Sequence, residues 1–323
     1  MHLTRRRAAL GLTAGMAAAA LPLSTARSQV ATPAAGAVPA ALPPAQLPDE
    51  PATQLGAGRD RFEHMLAPVG INGQGPFHFL LDTGANVSCV SLELAERLML
   101  TPAPPARVHT AVGVRTRPSV MIASLDVGAR SRKDVRATSL STLGPTVDGV
   151  LGVDWLSGQR LVLNFKTKSL EITRSRSEQS ALNRVVVPAR KRLGQLTIVD
   201  ADLSGHRINA MIDSGSQASI CNTPLRRLVE NIESHRGPVV DHRQIKLETL
   251  AGEPFMGEMF YLPFLRLGGL TLGNVPTVYA ETHIFELWGL KNEPAIVLGM
   301  DLLTQFNSVA LDYGRSEVRF DIA

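Results

Sequence analysis

An apolar run ending in one carboxylate, a small hydroxyl residue and a glycine occurs twice in this chain. The first copy is Phe79-Leu80-Leu81-Asp82-Thr83-Gly84-Ala85, and the second is Ala210-Met211-Ile212-Asp213-Ser214-Gly215-Ser216. Each run reads as a buried β-strand. The glycine allows a sharp turn that leaves the carboxylate at the strand end. A single Asp-Thr-Gly carries little weight, because these are ordinary turn residues. Three later segments, however, also recur in the same order downstream of each copy. Thr110-Ala111-Val112-Gly113 is answered by Thr249-Leu250-Ala251-Gly252, and Ser124-Leu125-Asp126-Val127-Gly128 by Phe264-Leu265-Arg266-Leu267-Gly268. Gly149-Val150-Leu151-Gly152-Val153-Asp154 is answered by Ile296-Val297-Leu298-Gly299-Met300-Asp301. The separations grow from 131 (82 to 213) through 139 (113 to 252) and 140 (128 to 268) to 147 (152 to 299), as a duplicated unit with later loop insertions would give. The chain reads as two homologous lobes, each contributing one aspartate.

The rest of the chain falls into place around the repeat. Residues 59–173 form the expected first lobe, 174–192 a polar and basic linker, and 193–323 the second lobe. In the first lobe, Val69 to Leu81 reads as a hairpin around a glycine-rich turn. Leu92 to Leu100 has helical spacing, with Ser91 as its N-cap. Val108 to Val127 reads as two strands around a turn at Val112-Gly113. Asp154 and Asp301 read as helix N-caps. Extra material in the second lobe falls at about 224–245 and 283–294, where Phe285 and Trp288 read as core or loop anchors. Cys89 and Cys221 read as free, buried thiols. His78 is the histidine nearest the first motif and reads as structural.

These residues resemble the aspartic proteases of the pepsin and retropepsin superfamily. In that family an apolar strand ends in Asp-Thr/Ser-Gly, and a hydrophobic-hydrophobic-Gly segment crosses behind it; here that segment is Val150-Leu151-Gly152 and Val297-Leu298-Gly299. Each lobe is nearer a retropepsin subunit than a pepsin lobe in size. The resemblance implies an all-β fold of two β-barrel-like lobes with short helices and an active site between them. It makes Asp82 and Asp213 the catalytic pair, supported by Thr83, Gly84, Ala85, Ser214, Gly215 and Ser216, with Thr83 and Ser214 hydrogen-bonded across the lobes. Val112-Gly113 and Ala251-Gly252 become flap candidates, although neither has the tyrosine typical of pepsin flaps.

Two carboxylates forced together cannot both ionise easily, so one keeps a proton while the other acts as base. That arrangement activates a water and protonates a departing amine. Ala85 offers no hydroxyl whereas Ser216 can donate to Asp213, so Asp213 is expected to hold the charge and Asp82 the proton, with a mildly acidic to near-neutral optimum. The expected activity is aspartic endopeptidase, acting on protein or peptide substrates; the alternative is a catalytically silent peptide-binding protein of the same fold. No Gly-x-Ser-x-Gly, His-Glu-x-x-His or Walker pattern occurs, so no metal site or cofactor is expected.

Residues 1–26 combine Arg5-Arg6-Arg7, an apolar middle and small residues at Ser24 and Ala26, the pattern of an export signal. The start resembles a twin-arginine signal, with general secretion as the other route. Export to a periplasm, or secretion, is the expectation. Removal of three arginines takes the formal charge from +4 to +1, which gives nucleic-acid binding little support. No stretch of the mature chain is long and apolar enough for a membrane span. Residues 27–58 are rich in Ala and Pro and read as a flexible leader. The duplication removes the need for dimerisation, so a monomer is expected.

Overall fold

The computed structural model describes residues 53–56, 58–59, 64–141, 143–144, 146–177, 183–233 and 243–322. The expected signal, most of the leader and part of the first second-lobe insertion lie outside the described residues.

The first repeat comprises β1 (Thr53–Gly56), β2 (Gly58–Arg59), β3 (Met65–Ile71), β4 (Gln74–Leu81), β5 (Cys89–Ser91), α1 (Leu92–Arg97), β6 (Thr101–Thr110), β7 (Gly113–Val127) and β8 (Arg130–Leu140). It ends with β9 (Gly149–Leu151), a short 3-10 turn at Val153–Leu156, β10 (Gln159–Asn164) and β11 (Ser169–Arg174). The second repeat comprises β12 (Arg184–Arg192), β13 (Gln195–Leu203), β14 (His206–Ile212), β15 (Ile220–Cys221), α2 (Thr223–Glu233), β16 (Arg243–Glu248), β17 (Pro254–Leu267) and β18 (Leu270–Tyr279). It ends with α3 (His283–Leu287), β19 (Ala295–Leu298), α4 (Met300–Leu303), β20 (Ser308–Asp312) and β21 (Glu317–Asp321).

The two lobes share one strand order. The first sheet runs β2-β3-β4-β9-β5-β8-β7-β6, and the second repeats it as β13-β14-β19-β15-β18-β17-β16. Additional pairings, β3 with β7 and β13 with β17, curl each sheet toward a barrel. β4 alternates little because its last three residues, Phe79, Leu80 and Leu81, are all buried. Burial on both faces is why the sequence shows a continuous apolar run there.

A third layer joins the lobes. Its six strands run β1-β11-β10-β20-β21-β12, with β10 and β20 antiparallel at the centre and Val162 opposite Ala310. Here the structure departs from the expected leader and linker. Thr53–Gly56, expected in the leader, is a strand against β11, and Arg184–Arg192, expected in the linker, is a strand against β21 and β13. Both are short on fully buried apolar side chains: β1 turns Thr53 and Leu55 inward, and β12 buries Val187 between the half-buried Val185 and Ala189. A four-residue strand, and one whose short alternation is set among arginines and a proline, give little period to read.

Local details obey the same physics. β6 begins at Thr101 rather than Val108 despite Pro102, Pro104 and Pro105. It is the sheet edge and its register shifts between Ala103 and Ala106, the places where proline is tolerated. Ser91 caps α1, its hydroxyl accepting from the Leu94 N–H at 3.0 Å. Asp154 and Asp301 are not N-caps: Gly152 and Gly299 hold those positions. The carboxylates instead accept the hydroxyls of Ser88 (2.9 Å) and Ser219 (2.7 Å), and each hydroxyl in turn accepts the amide of Gly152 or Gly299 (3.1 Å each). The two aspartates thereby fasten the chain just after each Asp motif to the crossing segment. Phe285 and Trp288 are buried edge-to-face in a cluster with Met211 and Val297, as anchors. Both cysteines are free, Cys221 buried and Cys89 half-buried. Among the described residues no helix is long and apolar enough to cross a membrane.

Candidate active site

Each catalytic-type strand is laid against its crossing segment. β4 runs parallel to β9, with Leu81 opposite Leu151, and β14 runs parallel to β19, with Ile212 opposite Leu298. The ladder continues one residue further, since the amides of Asp82 and Asp213 donate to the carbonyls of Leu151 and Leu298 at 3.0 Å. Both carboxylates are therefore delivered from the last hydrogen-bonded position of a buried strand, where the backbone cannot drift. The crossing glycines permit this closeness: a Cβ on Gly299 would stand 2.6 Å from the Ala218 carbonyl, and one on Gly152 would stand 2.8 Å from that of Ala85.

The two loops then meet head to head. Thr83 N–H donates to Ser214 Oγ (3.1 Å), and Ser214 N–H donates to Thr83 Oγ1 (3.0 Å). Each hydroxyl passes its own proton on: Thr83 to the Ile212 carbonyl (2.9 Å) and Ser214 to the Leu81 carbonyl (2.8 Å). These four bonds are buried and reciprocal, so every donor and acceptor is used. They bring Asp82 and Asp213 into direct hydrogen-bond contact. Gly84 and Gly215 are needed for approach, since a Cβ on Gly84 would fall within 2.7 Å of the Asp213 carboxyl atoms and one on Gly215 would collide with Asp82 likewise.

Each carboxylate accepts two backbone amides on its inner oxygen. Gly84 and Ala85 donate to Asp82 Oδ1 at 2.7 and 3.1 Å, and Gly215 and Ser216 donate to Asp213 Oδ1 at 2.9 and 3.2 Å. The expected Ser216 hydroxyl bond is absent. That hydroxyl donates to the Ala218 carbonyl at 2.8 Å, a local turn bond that outcompetes the carboxylate. Burial pushes both carboxyls above their ordinary range. For Asp82 the neighbouring Asp213 adds to burial, through its charge and the hydrogen bond between the two carboxyls, so the pair resists losing both protons. The reason anticipated for placing the proton on Asp82, a Ser216 hydroxyl bonded to Asp213, is therefore removed; burial and the mutual influence of the two carboxyls favour keeping a proton on the pair.

The histidine that acts on the pair is His64, not His78. His64 is buried immediately before β3, and its electrostatic influence is the last among those that favour ionised Asp213. His78 is exposed, and its amide is tied to Asp148 at 2.9 Å. A further group missed in the sequence is Tyr313, buried just after β20; burial first, then both aspartates, push its phenol far above the usual range. It lies far downstream of both motifs, at a strand end that carries no signal of the site.

The expected flaps are hairpin tips, Val112-Gly113 where the turn after β6 enters β7 and Ala251-Gly252 between β16 and β17. They are joined across the lobes. Glu253 accepts the Thr110 hydroxyl at 2.6 Å and pairs with Arg115 at 3.2 Å and Arg117 at 3.4 Å. The His283 amide donates to the Ala111 carbonyl at 2.8 Å, and the His109 and His283 rings stack at 5.2 Å with facing nitrogens 2.9 Å apart. Besides the six-stranded layer, the lobes therefore touch at two further levels, the Thr83–Ser214 floor and the flap tips. Among the described residues no cluster of three or more His, Cys, Asp or Glu side chains could hold a metal ion.

Comparison with known families agrees with this arrangement lobe by lobe. The gag-polyprotein aspartyl protease family model matches residues 67–158, and the aspartyl protease family model matches residues 199–302. A search of curated proteins finds no match. Each matched span contains one Asp motif and its crossing segment, in tandem along one chain. The chain belongs to the retropepsin-like aspartic proteases, in a two-lobed form that carries both aspartyl protease domains.

Proposed function

We propose that the protein is a single-chain aspartic endopeptidase that cleaves protein or peptide substrates through a water activated by Asp82 and Asp213. The observation that carries the reading is the contact of two buried carboxyls at the ends of pseudo-symmetric strands, where burial favours one shared proton. In the proposed step, ionised Asp213 takes a proton from water as its oxygen attacks the scissile carbonyl carbon. Asp82 gives its proton to the carbonyl oxygen, forming a neutral tetrahedral adduct. The proton on Asp213 then passes to the departing nitrogen, the C–N bond breaks, and Asp82 recovers its proton from a hydroxyl of the adduct. Protons balance over the cycle, and the pair ends as it began.

Burial raises the pair, so the singly protonated state persists above the ordinary carboxylate range, which supports activity from mildly acid toward neutral pH. Export through the N-terminal signal, action outside the cytoplasm and a monomeric state belong to the same proposal. The test is cleavage of a mixed peptide library from acid to neutral pH by the mature protein, beside folded Asp82→Asn and Asp213→Asn variants. Loss of cleavage in both variants is the expected result. Full activity in either one overturns the shared dyad. Peptide retention without cleavage by the wild type favours the silent binding protein.

A further inference from the structure

The repeat places two polar side chains in one equivalent position. β3 pairs with β4 so that Leu66 faces Leu80, and β13 pairs with β14 so that Thr197 faces Met211. Both offsets are 131 residues (66 to 197, 80 to 211), the offset that separates Asp82 from Asp213. His64, just ahead of β3, and Gln195, the first residue of β13, are 131 apart as well (64 to 195). Each therefore holds the same position relative to its own catalytic strand.

What Gln195 does from that position is explicit. It is 1 % exposed, and its amide nitrogen donates 2.9 Å to the carbonyl of Gly84, in the other lobe. The same nitrogen is hydrogen-bonded to the Asn86 side-chain oxygen. The Asp82-Thr83-Gly84 turn is thus held from behind by a donor belonging to the opposite lobe. The pseudo-two-fold that exchanges Thr83 with Ser214 carries Gln195 onto His64 and Gly84 onto Gly215. His64 is 4 % exposed, and its electrostatic influence falls on Asp213, in the lobe opposite its own. Both side chains are buried polar groups, where apolar residues would pack with less desolvation cost.

We propose that Gln195 and His64 are cross-lobe positioning residues, each fixing the catalytic loop of the other lobe. The proposal rests on the reading of Asp82 and Asp213 as a working dyad. A carboxylate displaced by about 1 Å loses as much as about a hundredfold in rate. A hydrogen bond from behind the loop therefore acts on the chemical step more than on substrate capture. The pairing also explains why the position differs between lobes: glutamine and histidine both offer an N–H donor of similar reach.

The experiment measures kcat, KM and thermal midpoint on one cleaved peptide for the mature wild type, Asp82→Asn, Gln195→Ala, His64→Ala, Gln195→His and His64→Gln. The two alanine variants are expected to lose about tenfold to a hundredfold in kcat with KM nearly unchanged. Gln195→His and His64→Gln, which place the counterpart's donor at each site, are expected to recover most of that loss. Unchanged kcat in the alanine variants, with an active wild type and inactive Asp82→Asn, overturns the positioning role alone. So does a loss that tracks the thermal midpoint and is not rescued by the reciprocal donors. An Asp82→Asn variant that cleaves, or a wild type that does not, overturns the dyad reading and this inference with it.

Discussion

Asp82 occupies a position where its charge is costly, and that cost has a sign in stability. Burial first, then the charge and hydrogen bond of Asp213, raise its folded-state pKa above the unfolded value of 3.8. The folded state therefore binds the proton more tightly, and stability falls as pH climbs from 3.8 through the raised value. Asp82→Asn removes that liability. Its unfolding midpoint is expected to exceed that of the wild type at pH 7 and to converge with it below the unfolded pKa, as urea titrations across pH would show. The Ser216 hydroxyl gives a contrasting expectation. Because it serves the Ala218 carbonyl, Ser216→Ala should cost only about 0.5–1.5 kcal/mol of stability and leave the basic limb of the pH–rate profile in place. The identity of both aspartates was legible in the sequence because the motif occurs twice. The side-chain partner of Ser216 was not, because a hydroxyl two residues from a carbonyl and three from a carboxylate has two local choices that sequence does not rank.

At the scale of elements, the strand-to-loop junctions carry the lobe interface. Ser214→Ala deletes the donor to the Leu81 carbonyl and the acceptor for the Thr83 amide, both buried. Leaving those groups unpaired costs about 1–3 kcal/mol each, so a drop of a few kcal/mol in urea unfolding is expected, together with a loss of kcat. The apolar strands, the crossing segments, the flap hairpins and α1 could all be read from periodicity, turn residues and caps. β1 and β12 could not, because β1 is only four residues long and β12 sets Val185, Val187 and Ala189 among exposed and charged neighbours. His64 and Gln195 were hidden for a different reason. Gly84, which Gln195 holds, and Asp213, which His64 influences, each lie in the opposite lobe, and the trace in the sequence is the common offset of 131 shared with the aspartates (64 to 195, 82 to 213).

At the scale of the whole molecule, the six-stranded layer makes the lobes one cooperative body. β10 and β20 come from different repeats yet sit side by side at its centre, so neither lobe can unfold without breaking the other's ladder. A single transition with matching calorimetric and van't Hoff enthalpies is the expected outcome of scanning calorimetry. Overhead, Glu253 gathers one hydroxyl and two guanidinium groups from the opposite flap. Glu253→Gln removes the charge from those bonds, worth about 1.5–3 kcal/mol, and should speed hydrogen exchange at the tips at least about tenfold. Raised salt should loosen the wild-type tips and barely affect the variant. Floor and roof together make the protein a closed hoop in space. A linear peptide can reach the aspartates by passing one end through such a hoop, but a head-to-tail cyclised peptide cannot, because two closed loops interlink only when one of them opens. Turnover of a cyclic substrate therefore counts the moments when the Glu253 contacts and the His283 contacts with Ala111 and His109 are broken together, and its rate relative to the same sequence in linear form measures how often the hoop is broken.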